Sequence, residues 1–199
     1  AVHNENKYVF NCMNTDKICI FTDTGKMHTI KAVDIPLGRF RDKGTPVDNL
    51  SNYDSSQERM LYVAPVGQLR SDRLLFVTKT SMCKLVEGAE FDVAKRTIAS
   101  TKLADGDELI FIGSASEMEQ IVLQSHGGCF LRFLTQEVST MKKTALGVRG
   151  MKLADDDYLE HAYLLAGHQE YTISYHDKEY ALNKVRLAKR DTKGIKPRI

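Results

Sequence analysis

The sequence holds no apolar run approaching the roughly eighteen residues that a membrane-crossing helix needs. Nor does it open with a basic stretch, an apolar segment and a small-residue cleavage site, so neither a membrane span nor a secretory leader is expected and the chain reads as cytoplasmic. Cysteine is sparse and scattered. Cys12, Cys19, Cys83 and Cys129 form no C-x-x-C pair, which speaks against a zinc knuckle or a disulfide framework and predicts four reduced, buried thiols. No charge sign dominates, with 28 Lys and Arg against 26 Asp and Glu, so any surface for a charged partner must be local. Long apolar patterns of helical period with caps at both ends are also missing. With 42% hydrophobic residues in 199, the chain is nevertheless rich enough in core formers to fold.

What it has is short runs dense in β-branched and aromatic residues: ICIFT from Ile18, MLYVAPV from Met60, RLLFVT from Arg73, ELIFIG from Glu108, QIVLQS from Gln120, CFLRFL from Cys129, HAYLLA from His161 and YTISYH from Tyr171. Polar turn stretches such as TDTGK, ADGDE and SHGG separate them. Runs of this length and composition are strands, which makes the chain all-β.

The strands repeat. TDKICIFTDTGKMHTI from Thr15 aligns without a gap on SDRLLFVTKTSMCKLV from Ser71, 56 residues on, setting Asp16 over Asp72, Thr22 over Thr78 and Thr24 over Thr80. KLADGDEL from Lys102 aligns on KLADDDYL from Lys152, 50 residues on. QIVLQSHGGCFLRF and EYTISYHDKEYALNKV start a third and a fourth unit, giving a single domain over 1–199 with approximate units 8–66, 67–114, 115–165 and 166–199. Units of about fifty residues made of strands point to blades rather than to one sandwich.

Charge follows the same plan. Residues 181–199 hold seven bases against the single acid Asp191, while the rest of the chain is net acidic. Each unit also carries bases beside a small or glycine-containing turn: Arg41 and Lys43, Lys95 and Arg96, Lys142 and Lys143, then Lys189, Arg190 and Lys193. In a radial array of small sheets, equivalent positions return to the same rim, and the bases would form a discontinuous basic belt suited to a curved polyanion. The plainer reading of any one of them is a polar loop residue.

Two stretches resemble a known family. SHGGCFLRFLTQEVSTMKKTALGVRGMKLADDDYL from Ser125 has a glycine turn, an xxRF strand, then T-A-x-GVRG-[IM]-x-L and an acidic turn. ICIFTDTGKMHTIKAVDIPLGRFRDKGTPVDNL from Ile18 has a strand, T-x-x-G-K, then [KR]G-x-P-[IV]-x-N-[IL]. Both are similar to the C-terminal domain of the A subunit of bacterial type IIA topoisomerases, DNA gyrase and topoisomerase IV. The resemblance implies a β-pinwheel, here about four four-stranded blades in an open or small ring. It implies a domain without catalytic residues that binds and wraps double-stranded DNA on its basic rim, in a nucleoid-associated parent. It also implies as partners an ATPase B subunit, together with the N-terminal catalytic portion of the parent chain. ATP and magnesium belong to that holoenzyme, and no cofactor is expected in this fragment, which should be monomeric. Transferred by motif position, the DNA contacts are Arg41, Lys43, Lys95, Arg96, Lys142, Lys143, Lys189, Arg190 and Lys193, with Arg149 of GVRG either a contact or a brace against the acidic turn Asp155 to Asp157. The gyrase-type QRRGGKG box is absent, and the blade turn carries Ser81 in the second unit and Asp177 or Lys178 in the fourth where glycine is usual, so those hairpins are expected to differ in shape.

Other chemistry is weakly supported. His126 and Cys129 stand three apart on a hairpin with no third group in the sequence to orient the imidazole. His161, His168 and His176 lack metal-ligand spacing, and the Asp105/Asp107 and Asp155/Asp157 turns lack the remaining ligands of a calcium loop. The late tyrosines Tyr158, Tyr163, Tyr171, Tyr175 and Tyr180 are expected in the core. A propeller-type protein scaffold that never touches DNA is the alternative function.

Overall fold

The computed structural model describes residues 6–198. Among them, thirteen short strands make four antiparallel sheets. The first contains β1 (Lys17–Thr22), β2 (Lys26–Lys31), β3 (Met60–Pro65) and β6 (Thr97–Ala99), in the order β3-β1-β2-β6. The second contains β4 (Arg73–Thr78), β5 (Met82–Glu87), β7 (Leu109–Ser114) and β10 (Val148–Arg149), in the order β10-β5-β4-β7. The third is β11 (Leu159–Leu165), β8 (Gln120–Ser125) and β9 (Phe130–Leu134), and the fourth pairs β12 (Thr172–Tyr175) with β13 (Lys178–Ala181). Two single-turn helices, α1 (Val47–Leu50) and α2 (Val66–Leu69), interrupt the connections. The described blades thus have four, four, three and two strands rather than four each.

The near-continuous apolar runs follow from burial on both faces. Along β4, Leu74 and Phe76 enter the core shared with the first sheet, while Leu75 and Val77 enter the core shared with the third. A period of two therefore feeds two cores from one strand, which requires sheets stacked side by side. Phe21, Phe76 and Phe91 join edge to face or stacked in the first core, with Phe21 and Phe91 centroids 4.9 Å apart. Of the five late tyrosines, Tyr163, Tyr175 and Tyr180 pack partly buried against the core, Phe130 meeting Tyr175 and Tyr180 at 5.2 and 5.0 Å, whereas Tyr171 is exposed and Tyr158 stacks on His126 outside it.

Hydrogen bonds reproduce the sequence repeats. Leu109 N donates to Asp23 O, and Leu159 N to Lys79 O, each at 2.9 Å. These pairs are related by the offsets of 50 and 56 found in the sequence. The hairpin turns match too: Gly25, Ser81 and Gly128 lie at φ +76°, +72° and +81°, and their amides donate to Thr22, Thr78 and Ser125 carbonyls. Ser81 therefore adopts the glycine conformation, contrary to the sequence expectation. Its carbonyl accepts Gly150 N and its hydroxyl accepts Met151 N, both at 2.7 Å, and these bonds hold a side chain where backbone sterics disfavour one. The fourth turn does differ, placing His176 and Asp177 successively at positive φ.

The acidic turns close these hairpins. Asp107 accepts from Thr80 N and Oγ1 at 3.1 and 2.6 Å, and Asp157 accepts from Gly127 N at 2.8 Å. Burial disfavours charge on Asp157, but the Gly127 amide, the Ser125 hydroxyl and the Tyr158 amide outweigh it and hold the carboxyl below its ordinary range.

Candidate nucleic-acid interface

The sheets are joined by exchanged segments, and these carry the candidate bases. After its hairpin, each unit makes a 3-10 turn, and the second, third and fourth then send the chain back onto the preceding sheet. β6 pairs with β2, β10 pairs with β5, and Leu187 and Ile195 bridge to Arg132 and Phe130 of β9. A polar residue in each receiving hairpin, buried or half-buried, ties the incoming segment down. His28 Nδ1 lies 2.9 Å from Thr97 Oγ1, and its Nε2 lies 2.8 Å from Glu58. Lys84 Nζ donates to the Lys143 and Ala145 carbonyls at 2.8 and 2.7 Å, and Arg132 Nη1 donates to those of Asn183 and Val185 at 2.6 and 2.8 Å. Lys84 is 1% exposed, and burial pulls its pKa down to about 8 despite nearby Glu90.

The Leu187 and Ile195 bridges, beside those of Thr140 and Val148, align 138–149 with 185–196 at an offset of 47. Lys142 then matches Lys189, and Lys143 matches Arg190. The two members of each pair behave differently. Lys143 N donates to the Glu90 carboxylate at 2.8 Å and its Nζ to Glu90 O at 3.3 Å. Arg190 N donates to the Glu137 carboxylate at 3.1 Å and its Nε to Glu137 O at 2.9 Å, with Nη1 on Arg149 O at 2.7 Å. Glu90 and Glu137 are again 47 residues apart, so the second base of each pair is a repeated brace. The first base points outward: the Lys142 side chain is 82% exposed, with a 3.4 Å contact to Glu90, and Lys189 is exposed.

The other candidates divide likewise. Arg41, Lys43, Lys95 and Lys193 are exposed. Arg96 is exposed too, with one long 3.5 Å contact to Leu50 O. Arg149 pairs with Asp191, not with the turn Asp155 to Asp157, and the bond raises the arginine pKa and lowers that of the aspartate. The acidic turn is already committed to the hairpin of the third sheet. Lys95 and Lys143 line one groove of about 570 Å³ together with Lys102, whose recurrence as Lys152 in the KLAD repeat was the available signal. Arg39 was also missed in the sequence. The gapless alignment of 34–47 on 137–150 sets it over Lys142, and its side chain is 91% exposed.

Two further expectations change. Cys12 is exposed and Cys129 partly so, leaving Cys19 and Cys83 as the buried thiols. His126 does have an orienting group, Glu160 at 2.6 Å, but its ring stacks on Tyr158 at 4.7 Å. No hydrogen bond links it to Cys129 among the described residues.

Compared with known proteins, the chain matches the family described as the DNA gyrase C-terminal domain, beta-propeller, over residues 16–55, 72–116 and 119–166. The chain belongs to this family. Each of the three segments begins at or just before the central strand of one of the first three sheets, so the match follows the blades. The DNA gyrase A protein of Ureaplasma parvum serovar 3 is 28% identical over 184 residues, 89% of this chain and 22% of that protein. Its Salmonella typhimurium counterpart is 32% identical over 144 residues, 71% of this chain and 16% of that protein. The chain thus spans about a fifth of the curated relatives it matches. Among solved structures, the C-terminal domain of DNA topoisomerase IV superposes with a TM-score of 0.82 at 22% identity, covering 98% of this chain and 65% of the other. A DNA gyrase A C-terminal domain gives 0.67 at 22% identity, covering 92% and 60%. These likenesses establish the all-β pinwheel fold of this gyrase C-terminal domain family member.

Proposed function

We propose that this domain binds duplex DNA along its rim through sequence-independent phosphate contacts, bends or wraps it, and performs no chemistry itself. It delivers the duplex to the strand-passage core formed by the N-terminal portion of the A chain of a type IIA topoisomerase, working with an ATPase B subunit that uses ATP and magnesium. The observation that carries this reading is the repeated dibasic pair. At equivalent places on successive blades one base is spent on bracing the exchanged segment, and the braced segment holds the neighbouring base, Lys142 or Lys189, out in solvent. Bases held at a blade-to-blade interval suit a polyanion that follows the rim, since clustered Lys and Arg displace counterions from phosphates. The contacts assigned to DNA are Arg41, Lys43, Lys95, Arg96, Lys142, Lys189 and Lys193. Lys143, Arg149 and Arg190 act mainly as braces.

Bending a duplex costs several kcal/mol by elastic estimates, so tight binding needs contacts spread over more than one blade. Binding of duplexes of about 40 and about 12 base pairs across a salt titration tests the reading. The longer duplex should bind much more tightly and with a steeper log-log salt slope. Equal affinity and slope for both lengths would refute wrapping. No binding at low salt would move the protein-scaffold function to the front.

A further inference from the structure

We infer that the groove between the exchanged segments of the second and third units is a phosphate site with Lys102 as its cation, and that it takes a backbone phosphate of the duplex. The inference rests on the DNA-binding reading and adds a contact to it. Lys95, Lys102 and Lys143 line the groove together with Thr97, Thr101 and Thr144, and no carboxylate is among its lining residues. Lys102 is exposed, and its amide donates to Lys143 O at 3.1 Å, so its side chain leaves from the seam where one segment meets the next. Lys143 spends its amide on the Glu90 carboxylate and its ammonium on Glu90 O at 3.3 Å, and adds charge to the groove rather than the contact itself. Every lining residue belongs to the second or third unit, whose sheets each share a core with a sheet on either side.

The next seam, between the third and fourth units, shows what such a place holds. At the offset of 50, Lys102 corresponds to Lys152 and Ala99 to Arg149; at the offset of 47, Lys143 corresponds to Arg190 and Thr144 to Asp191. There the amide of Lys152 donates to Thr192 O at 2.9 Å, and the Asp191 carboxylate pairs with Arg149. That hydrogen bond, with the charges of Arg149, Arg190 and Lys152, holds the Asp191 carboxyl below its ordinary range. The chain thus sets an anion of its own among the bases of one seam. In the preceding seam Ala99 and Thr144 stand where the ion pair would be, while the counterparts of Lys152 and Arg190 are kept. Two small side chains in place of a guanidinium and a carboxylate leave a groove of about 570 Å³ lined by three lysines and no acid. A phosphate group suits it, because it brings the missing negative charge and accepts from both ammonium and hydroxyl donors. Lys95, which also lines the groove, is already assigned to DNA, so a duplex on the rim carries its phosphates past the opening.

The test measures binding of a labelled duplex of about 40 base pairs by anisotropy across a salt titration. It compares the parent with Lys102→Gln, Lys102→Arg, Lys152→Gln, Thr144→Asp and the double variant Lys102→Gln/Thr144→Asp, and runs Lys142→Gln/Lys189→Gln alongside. Lys102→Gln should lower the magnitude of the log-log slope by about 0.9 and the affinity at about 0.1 M salt about eightfold, and Lys102→Arg should keep both. Lys152→Gln, whose lysine already shares its seam with Asp191, should stay within about 0.3 of the parent slope. Thr144→Asp gives the groove a carboxylate of its own and should match Lys102→Gln. Because both changes displace the same phosphate, the double variant should lose no more than either one alone. A parent slope in Lys102→Gln, equal losses in Lys102→Gln and Lys152→Gln, or additive losses in the double variant would overturn the site. The DNA reading stands in each of those cases if Lys142→Gln/Lys189→Gln still lowers the slope, and an unchanged slope in every lysine variant would remove it. Inorganic phosphate that shifts the amide resonances of Lys102 and Thr144, while Lys102→Gln keeps the parent slope for duplex, would give the groove to a free phosphate ligand and overturn its assignment to DNA.

Discussion

Replacing Lys142 and Lys189 together by glutamine should separate DNA contact from bracing. Each lysine sits at the same place in its unit, is exposed, and supplies no side-chain hydrogen bond that holds an exchanged segment. If each neutralises one phosphate, the log-log salt slope should fall in magnitude by about 1.8, at roughly 0.9 for each contact. Taking the electrostatic term as vanishing near 1 M salt, affinity at about 0.1 M should drop about sixty-fold. Seven exposed bases are assigned to DNA, so a parent slope of about −4 to −6 is expected when most of them engage. Fluorescence anisotropy with a labelled duplex at several salt concentrations reads both quantities.

The contrasting variant is Arg190→Met, which removes the donors to Glu137 O and Arg149 O. It should leave the slope within about 0.3 of the parent once affinity is measured on folded protein. It should cost about 1–3 kcal/mol in urea unfolding, because two carbonyls lose charged donors. The assignment of the two bases to different tasks would be refuted by the reverse pattern: Arg190→Met lowering the slope with stability untouched, or the lysine pair unfolding the domain with the slope preserved.

Three further outcomes follow from the polar groups that hold the hairpins and exchanged segments. Lys84→Met should destabilise the domain by about 2–4 kcal/mol at pH 7, since Ala145 O loses a charged donor. The parent's stability relative to Lys84→Met should rise between about pH 8 and pH 10.5 in urea titrations. The unfolded chain still binds that proton there and the folded one does not. Asp157→Asn should cost about 1 kcal/mol at pH 7, with the difference from the parent fading as pH falls below the usual carboxylate range and through the lowered folded pKa; thermal unfolding from pH 2 to 7 measures it. At Ser81, stability should rank parent, then glycine, then alanine. Glycine relieves about 1 kcal/mol of left-handed strain but frees Met151 N, while alanine keeps the strain and loses the bond.

The strands were legible because their composition is extreme and their period is short. Each strand expected from an apolar run is present within a residue or two. β2, β5 and β13 are richer in polar and charged residues and emerge as strands because hairpin pairing supplies what propensity does not. β6 and β10 are two or three residues long and pair with a sheet belonging to the previous unit, a long-range choice with no local signature. The bases of the candidate site were legible as repeated residue types. Their division into braces and outward contacts was not, since it depends on Glu90 and Glu137, which lie 53 residues before their partners. Arg149 illustrates the limit. The motif marked it, the acidic turn nearby in sequence looked like its partner, and the hairpin amides had already claimed that turn.

Strand exchange links these observations. A blade that keeps all its strands leaves its neighbour held by side-chain packing alone, and a bent duplex lying across both blades would load that junction. Here the junction is crossed by main chain, and the crossing segment is held by Lys84 and Glu90 together at Lys143 to Ala145, or by Arg132 at Asn183 and Val185 and by Glu137 at Arg190. The residues proposed to meet the duplex therefore sit on the chain that also joins blade to blade. Force applied at Lys142 or Lys189 passes through several hydrogen bonds into two sheets at once. A basic loop projecting from one blade would offer the same charge without that support. Lys84 and Arg132 would support the proposed binding surface in this sense, although neither is placed to touch a phosphate.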